Sequence, residues 1–297
     1  MALKTVQATL NGQVYTLTLN EETGKYEAQV TAPELSSFNQ EGHFYGMTVS
    51  ATDDAGNETV VDTADTTFGE NLKLIVKETV APVITITSPT ADQTLTNNQP
   101  VITFTITDND SGVDAESITV VIDGIEYTAD ITKTAITGGY NCEFTVPVAF
   151  SDGAHTVQVK ASDNDENEGV SEVISITVDC TPPELSVSSP VNGFVTNKET
   201  VTVIGTTNDL TSSPVTLTIN GEAVEVSSDG SFTHTVTLTN GVNTITVVAT
   251  DSAGKVSTVT RTVTYNTTAP VIENITITPN PVNAGAVFTI SVTVTDE

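Results

Sequence analysis

The sequence predicts an all-β protein made of consecutive β-sandwich units, and three observations support this prediction. Segments such as VITFTITD (101–108) and FTISVTVTD (288–296) alternate apolar and polar residues, which is the period of a strand with one buried face. Several phrases recur along the 297 residues. Trp is absent and aromatic residues make up 5% of a chain rich in Thr and Val, which favours strands over helices.

The repeats are anchored by prolines in three similar phrases: APVITITSP (81–89), PPELSVSSP (182–190) and APVIENITI (269–277). In each copy an Asp follows 26 residues after the anchoring proline and closes a strand-like segment. These residues are Asp108, Asp209 and Asp296. One offset in three copies indicates that each unit begins with the same two strands.

Each unit then continues with short strands separated by tight turns. Asp123-Gly124 and Asn220-Gly221 are hairpin signatures. A later strand in each unit carries small or branched residues predicted to face inward, namely Val157, Val159 and Ala161, and Ile245, Val247 and Ala249. About seven short strands in roughly 90–100 residues predict a sandwich of the immunoglobulin (Ig) type.

This pattern divides the chain into four parts. Residues 80–180 and 181–267 are predicted to be complete Ig-like domains. Residues 1–79 are predicted to be an Ig-like domain without its first two strands, and residues 268–297 a partial unit of two strands. A stack of such units is expected to form a rod.

A short acidic phrase occurs three times, as ATDDAGNETV (51–60), ASDNDENEGV (161–170) and ATDSAGKVST (249–258). It follows the sixth strand of each unit. One interpretation is turn chemistry, in which Asp53 and Asp251 accept backbone hydrogen bonds and Gly56 and Gly254 supply positive φ.

The other interpretation is Ca²⁺ held between domains, because hard oxygen ligands at this density suit that ion. Against it, no copy has the EF-hand spacing, and Lys255 replaces the acid in the third copy. The candidate ligands crowd two loops of the second unit: Asp108, Asp110, Asp114, Asp163, Asp165, Glu166 and Glu168.

The segment DGAHTVQVKASDN (152–164) resembles the bacterial Ig-like domains of surface and secreted proteins. The whole layout, including the ATDDAGN phrase and the LTNNQPVITFTITDNDSGVD segment (95–114), is similar to tandem Ig-like proteins encoded among tail genes of phages and prophages of Gram-positive bacteria. This resemblance implies a structural or tail-associated protein without a catalytic role.

The two ends of the chain carry complementary parts of the repeat. ATLNGQVYTL (8–17) aligns with LTINGEAVEV (217–226), so the first unit starts near its third strand. We therefore expect the terminal hairpin to complete an Ig-like domain by strand addition, in another copy, in its own chain or in a different protein. The residues that need a covering surface are Val271, Ile275, Ile277, Phe288, Ile290 and Val292. Alternatively, the LKLIVK segment (72–77) supplies a missing strand of the first domain.

Composition and motifs narrow the classes of function. A formal charge of −29 disfavours nucleic acid and anionic lipid as partners, and no apolar run is long enough for membrane insertion. The histidines, His43, His155 and His234, lie in different repeats, so no catalytic constellation is predicted. Cys142 and Cys180 are predicted to be free thiols.

Two functions remain. The first is a non-enzymatic structural protein of a phage tail (fibre, baseplate or decoration), made in the cytoplasm because no secretory signal is visible, with virion proteins or copies of itself as partners. The second is a stalk or adhesin segment on a bacterial cell surface that binds carbohydrate or a host ligand.

Overall fold

The computed structural model of the protein describes residues 3–296, and the backbone divides into two compact units, Met1–Val178 and Asp179–Glu297. Both units consist of strands that pair mostly antiparallel. Each unit also has one parallel pairing, of Thr94–Leu95 with Thr177 and Val178 in the first and of Phe194–Thr196 with Val263, Thr264 and Tyr265 in the second. The first unit also contains two short 3₁₀ turns, at Ser37–Asn39 and Gly69–Leu72. The all-β prediction is therefore confirmed. Over the described residues, the structure contains no helix of the length and apolarity that crossing a bilayer requires.

The first domain is built on a single main sheet. Its strands are β1 (Leu3–Leu10), β2 (Gln13–Thr16), β3 (Thr18–Asn20), β4 (Lys25–Glu27), β5 (Tyr45–Asp53), β6 (Glu58–Val61) and β7 (Lys73–Leu74). The main sheet has the order β2-β1-β5-β6, with β7 also paired to β5, and β3 and β4 form a separate small ribbon.

The second domain is a complete two-sheet sandwich. Its strands are β8 (Val83–Ser88), β9 (Thr94–Leu95), β10 (Val101–Thr107), β11 (Thr119–Ile122), β12 (Ile125–Tyr127), β13 (Ile131–Ile136), β14 (Gly139–Thr145), β15 (Gly153–Ser162), β16 (Glu168–Val170) and β17 (Ile174–Val178). One sheet has the order β13-β14-β10-β8. The other has the order β12-β11-β15-β17-β9, with β16 paired to β15.

The third domain, in the second unit, repeats this arrangement. Its strands are β18 (Glu184–Ser189), β19 (Phe194–Thr196), β20 (Thr200–Asn208), β21 (Thr216–Ile219), β22 (Glu222–Val224), β23 (Ser231–Thr237), β24 (Gly241–Thr250) and β25 (Val256–Tyr265). The sheets have the orders β18-β20-β23 and β19-β25-β24-β21-β22. The second and third domains are thus tandem Ig-like sandwiches.

The core of each sandwich lies between its two sheets. The residues predicted to face inward are all buried there: Val157, Val159 and Ala161 on β15, and Ile245, Val247 and Ala249 on β24. Ile102, Phe104 and Ile106 alternate along β10 and cover the facing side. Burying such side chains contributes about 1.5–3 kcal/mol each, so the period-2 alternation fixes which face of every strand turns inward.

Tight turns with positive φ close the predicted hairpins. Asp123 and Gly124 have φ of 49° and 81°, and Asn220 and Gly221 have φ of 52° and 85°. Positive φ at both central residues is the signature of a type I′ turn, whose twist matches that of the flanking strands. These turns join β11 to β12 and β21 to β22.

The first domain has one sheet of its neighbours and, in place of the other, only the small β3–β4 ribbon. Among residues 3–79, no strand takes the place of β8 and β10. Met47 and Val49 on β5 are consequently half-exposed, whereas the aligned Ile245 and Val247 of the third domain are fully buried. An apolar groove of ≈ 200 Å³ opens on this face, lined in part by Leu10 and Met47.

The LKLIVK segment does not provide the missing sheet. Only Lys73–Leu74 is a strand, and it pairs with Gly46 and Tyr45 at an edge of the sheet that is already present. Leu72 does reach the core of the domain, where it is buried with Val6 and Leu10. The segment therefore extends the existing sheet and leaves its open face uncovered.

The chain ends in a two-stranded hairpin made of β26 (Val271–Thr278) and β27 (Thr289–Thr295). Over the described residues, these strands pair only with each other. Ile290, Val292 and Val294 are directly opposite Ile277, Ile275 and Ile272, so six apolar side chains share one face. That face is exposed along its whole length.

Candidate cation-binding clusters

The repeated acidic phrase forms the same turn in all three domains. Its Asp is the last residue of β5 and directly follows β15 and β24. The backbone N–H four residues later donates to Oδ1 of this Asp at 2.9, 2.8 and 2.9 Å in chain order. The acceptors are Asp53, Asp163 and Asp251, and the donors are Asn57, Asn167 and Lys255. The turn interpretation is therefore confirmed: this carboxylate organises the turn to the seventh strand.

The second carboxylate oxygen distinguishes the copies. Asn57 donates from Nδ2 to Oδ2 of Asp53 at 2.9 Å, and Asn167 does the same for Asp163 at 2.7 Å. In the third copy this position is Lys255, which has no carboxamide, and Oδ2 of Asp251 is buried without a hydrogen-bond partner. Lys255 thus replaces an amide and not an acid, which corrects the reading of this position from the sequence.

A first group of three carboxylates lies in the first unit. One oxygen from each of Glu78, Asp108 and Asp163 lies within 4.8 Å of the others. Oδ1 of Asp108 accepts from the N–H groups of Asp110 and Gly112, at 3.0 and 2.8 Å. Burial raises the pKa of the Glu78 carboxyl above its usual value, and the charge of Asp108 adds to this effect.

Three other predicted ligands form a hydrogen-bonded joint between the first and second domains. Asp110 Oδ1 accepts from the Ser36 N–H at 2.9 Å, and Oδ2 of the buried Asp165 accepts from the Glu78 N–H at 3.0 Å. Glu166 forms an ion pair with Lys77 at 2.9 Å. These carboxylates tie the linker and the first domain to the loops of the second domain.

The two remaining predicted ligands lie outside both arrangements. Asp114 caps a local turn by accepting from the Glu116 N–H at 3.0 Å. Glu168 is exposed on β16. Of the seven predicted ligands, the structure therefore brings only Asp108 and Asp163 into one carboxylate group.

A second group occupies the equivalent position in the third domain. Oxygens of Asp179, Asp209 and Asp251 also lie within 4.8 Å of one another. Asp209 Oδ1 accepts from the N–H groups of Thr211 and Ser212, at 2.8 and 2.7 Å. Asp179 and Asp251 are 0% and 5% exposed, and Oδ2 of each is buried without a partner.

Sequence reasoning missed the linker acid of both groups. Glu78 and Asp179 stand four positions before the anchoring prolines, Pro82 and Pro183. The repeat contains a signal for these two acids, because each stands at the same distance from the proline that also anchors Asp108 or Asp209. Only the fold shows that the linker meets the ends of β10 and β15 in the second domain, and the ends of β20 and β24 in the third.

The predicted assembly residues all lie on the terminal hairpin and are exposed. Ile275, Ile277, Ile290 and Val292 share its apolar face, which also includes Ile272 and Val294. Val271 is opposite Thr295, because an irregularity in register between Ile272 and Asn274 moves it to the other face. Phe288 directly precedes β27 and is 45% exposed.

The histidine with the most defined surroundings is His155. Its Nδ1 lies 2.7 Å from Oδ2 of Asp123 and its Nε2 lies 2.9 Å from the Ser151 carbonyl oxygen. Both ring nitrogens are therefore engaged, and the ring stacks on Phe150 at 4.3 Å between centroids. An imidazole without an available nitrogen has no position from which to activate a nucleophile.

The two sandwiches define a protein of tandem Ig-like domains. Residues 82–159 match the family model described as a bacterial Ig domain, and residues 183–267 match the model described as glucodextranase, domain B. The predicted resemblance to bacterial Ig-like domains is thereby confirmed.

The chain is also similar to one protein of known function and to several solved structures. The chain is 35% identical over 195 residues to Bacillopeptidase F of Bacillus subtilis (strain 168), a match that covers 66% of this chain and 13% of the relative. A three-domain titin Ig structure is 12% identical and covers 89% of this chain and 88% of that chain, with a TM-score of 0.49. The fibronectin(III)-like modules of Clostridium thermocellum CbhA are 17% identical and cover 62% and 94%, with a TM-score of 0.31.

Proposed function

We propose that the chain is a non-catalytic segment of a bacterial secreted or cell-surface protein, in which its Ig-like domains space and present another part of that protein. The match to a bacterial Ig domain model supports this proposal. The match to Bacillopeptidase F also supports it, because the matched segment makes up only 13% of a longer bacterial protein.

The observation that carries the proposal is the joint between the first and second domains. The linker 75–82 is held against one loop of the second domain, because Glu78 donates its N–H to Asp165 and Lys77 pairs with Glu166. The Ser36 N–H of the first domain is held by Asp110 of the second. A hydrogen bond to a charged, buried acceptor such as Asp165 contributes about 1.5–3 kcal/mol. Such a joint suits a spacer, which has to keep consecutive domains at a defined angle.

The distance between spin labels tests the stiffness of this joint. Labels are placed at Glu22→Cys in the first domain and Thr132→Cys in the second, both exposed positions, in a chain carrying Cys180→Ser. We expect a narrow distance distribution that broadens in the Asp110→Ala/Asp165→Ala double variant. Asp229→Ala, in a turn of the third domain, is the control and should leave the distribution narrow. A broad distribution in the unmodified joint would overturn the spacer proposal.

Localisation in the bacterium that encodes the chain tests the compartment. We expect antibodies to find the protein in the medium or on intact cells. Recovery of the protein with purified phage-tail particles would instead support a role in the virion. None of the relatives reported above is a phage protein. Retention of the chain on a glycan array would add a ligand-binding role to that of a spacer.

A second candidate role is assembly through the terminal hairpin, with a further copy of this chain as the partner. The observation that favours it is the exposed apolar face centred on Ile275, Ile277, Ile290 and Val292. The first domain offers a matching open face where Met47 and Val49 are half-exposed. Light scattering across a concentration series, with the full chain beside a version ending at Asn266, tests it. Strand addition is supported if the full chain associates and the shortened version does not. It is contradicted if both remain monomeric.

A further inference from the structure

The third domain holds carboxylate oxygens that the protein itself leaves unsatisfied. Asp179 and Asp251 each use Oδ1 to accept a backbone N–H, from Thr181 at 3.3 Å and Lys255 at 2.9 Å. Their Oδ2 atoms are buried and have no hydrogen-bond partner. Burying a charged group without a partner is unfavourable in free energy. These two oxygens therefore indicate a bound ligand that the chain itself does not supply.

The other two copies of the turn show what such a ligand replaces. In them, Asn57 and Asn167 donate a side-chain N–H to Oδ2 of Asp53 and Asp163. The backbone geometry of the turn is the same in the third copy, where the Lys255 N–H reaches Asp251 Oδ1. The third copy therefore lacks the side-chain amide donor, although the carboxylate of Asp251 that would accept from it is present.

The unsatisfied oxygens belong to a group that carries high negative charge. Asp179, Asp209 and Asp251 each place an oxygen within 4.8 Å of the other two. Two oxygens bound to one Ca²⁺ at about 2.4 Å are separated by at most about 4.8 Å, so all three can reach the same ion. We propose that Asp179, Asp209 and Asp251 bind a Ca²⁺ ion in the third domain.

Calcium fits this set better than magnesium. Ca²⁺ takes six to eight oxygen ligands in flexible geometry, whereas Mg²⁺ keeps several waters and binds through one or two carboxylates. The three ligands come from a linker and from the ends of β20 and β24, so the ion joins three separate segments. Extracellular modules of this ligand type bind Ca²⁺ with Kd of about 0.1–1 mM, which is the range expected here.

Calorimetric titration of the EDTA-treated full chain with CaCl₂ tests the site, and backbone amide NMR resonances locate it. We expect Ca²⁺ to shift the amide resonances of Thr211, Ser212 and Lys255, whose N–H groups contact Asp209 and Asp251. Asp209→Asn should abolish these shifts. Asp108→Asn is the matched control, because it changes the equivalent acid of the second domain and should leave them intact.

A second variant keeps the test independent of misfolding. Lys255→Asn restores the residue of the other two copies, and its amide is expected to occupy Oδ2 of Asp251. Removing the positive charge of Lys255 would by itself strengthen Ca²⁺ binding. We nevertheless expect Lys255→Asn to raise the Kd for Ca²⁺ at least tenfold, because the new amide hydrogen-bonds Oδ2 of Asp251 and keeps it from the ion. Lys255→Ala removes the charge without adding an amide and should bind at least as tightly as the unmodified chain.

The proposal has two outcomes that overturn it. One is the absence of Ca²⁺-dependent shifts at Thr211, Ser212 and Lys255 in the unmodified chain. The other is equal Ca²⁺ affinity in the Lys255→Asn and Lys255→Ala variants, which would show that Oδ2 of Asp251 is not a ligand.

Discussion

Asn167 donates from Nδ2 to Oδ2 of Asp163 at 2.7 Å while its backbone N–H donates to Oδ1 at 2.8 Å. One residue thus satisfies both oxygens of a carboxylate that is 2% exposed. The same two contacts join Asn57 to Asp53, where the carboxylate is less buried. The asparagine four residues after the Asp is therefore part of the turn as much as the Asp itself.

Asn167→Ala is expected to destabilise the second domain. The change leaves Oδ2 of Asp163 buried without its donor, which costs about 1–3 kcal/mol. Calorimetry should show a lower melting temperature for the transition of this domain. Asn57→Ala is the matched control, and it should have little effect because water reaches Asp53. An equal loss in both variants would contradict the role of burial.

The His155–Asp123 pair is expected to make stability depend on pH. Burial of the His155 ring opposes its charged form, but the hydrogen bonds to Asp123 and the Ser151 carbonyl outweigh this and raise its pKa above the usual 6.5. Burial likewise opposes the charged form of Asp123, yet the bonds from His155 and Thr156 hold its pKa below the usual 3.8. The His155 contribution is therefore complete below pH 6.5 and is lost as the pH rises through the folded-state pKa.

The Asp123 contribution has the opposite sign, since it is present above pH 3.8 and lost as the pH falls through the lowered pKa. The pair should therefore stabilise most between these two values. Urea unfolding at pH 5.5 and pH 8 checks this, and we expect the advantage of the unmodified chain over His155→Asn to shrink at the higher pH. His234→Asn, whose ring nitrogen lies 3.6 Å from Glu222, is the control. An advantage that does not change with pH would refute the ion pair.

Gly205→Ala is expected to destabilise the third domain. A Cβ at this position would lie 2.2 Å from the Ser186 carbonyl oxygen and 2.4 Å from Cζ of Phe232, which is directly opposite Gly205 on β23. The neighbouring backbone cannot move cheaply, so overpacking should cost about 1–3 kcal/mol. Thermal unfolding measures the effect, with Thr202→Ala at an exposed position of the same strand as control. A melting temperature equal to that of the control would show that β18 and β23 move away from Gly205 at little cost and make room for the added Cβ.

The Cys142 thiol is expected to be unreactive in the folded chain. It is buried on β14, and burial raises its pKa to about 11, so little thiolate forms at neutral pH. Mass spectrometry after alkylation at pH 8 should find Cys142 unmodified in the native protein and fully modified in urea. Fast labelling of the native protein would mean that the second domain opens on the timescale of the reaction.

The sequence by itself determined the sandwich architecture and the inward faces of its strands. The alternation at Val157, Val159 and Ala161 has a period of two, and only one face of a strand can turn toward the core. Hairpins at Asp123-Gly124 and Asn220-Gly221 were also predictable, since few residue pairs adopt positive φ at both positions. These features depend on local geometry, which a single segment encodes.

Only the tertiary structure decided which acids meet and which oxygens remain unsatisfied. Asp179, Asp209 and Asp251 are far apart in sequence and converge because a linker and two strands end at the same edge of one sandwich. Whether a carboxylate oxygen lacks a donor depends on burial and on side chains from several segments, as the contrast between Asp163 and Asp251 shows. The sequence shows which charged groups are present. Their hydrogen-bond partners depend on packing between strands that are distant along the chain.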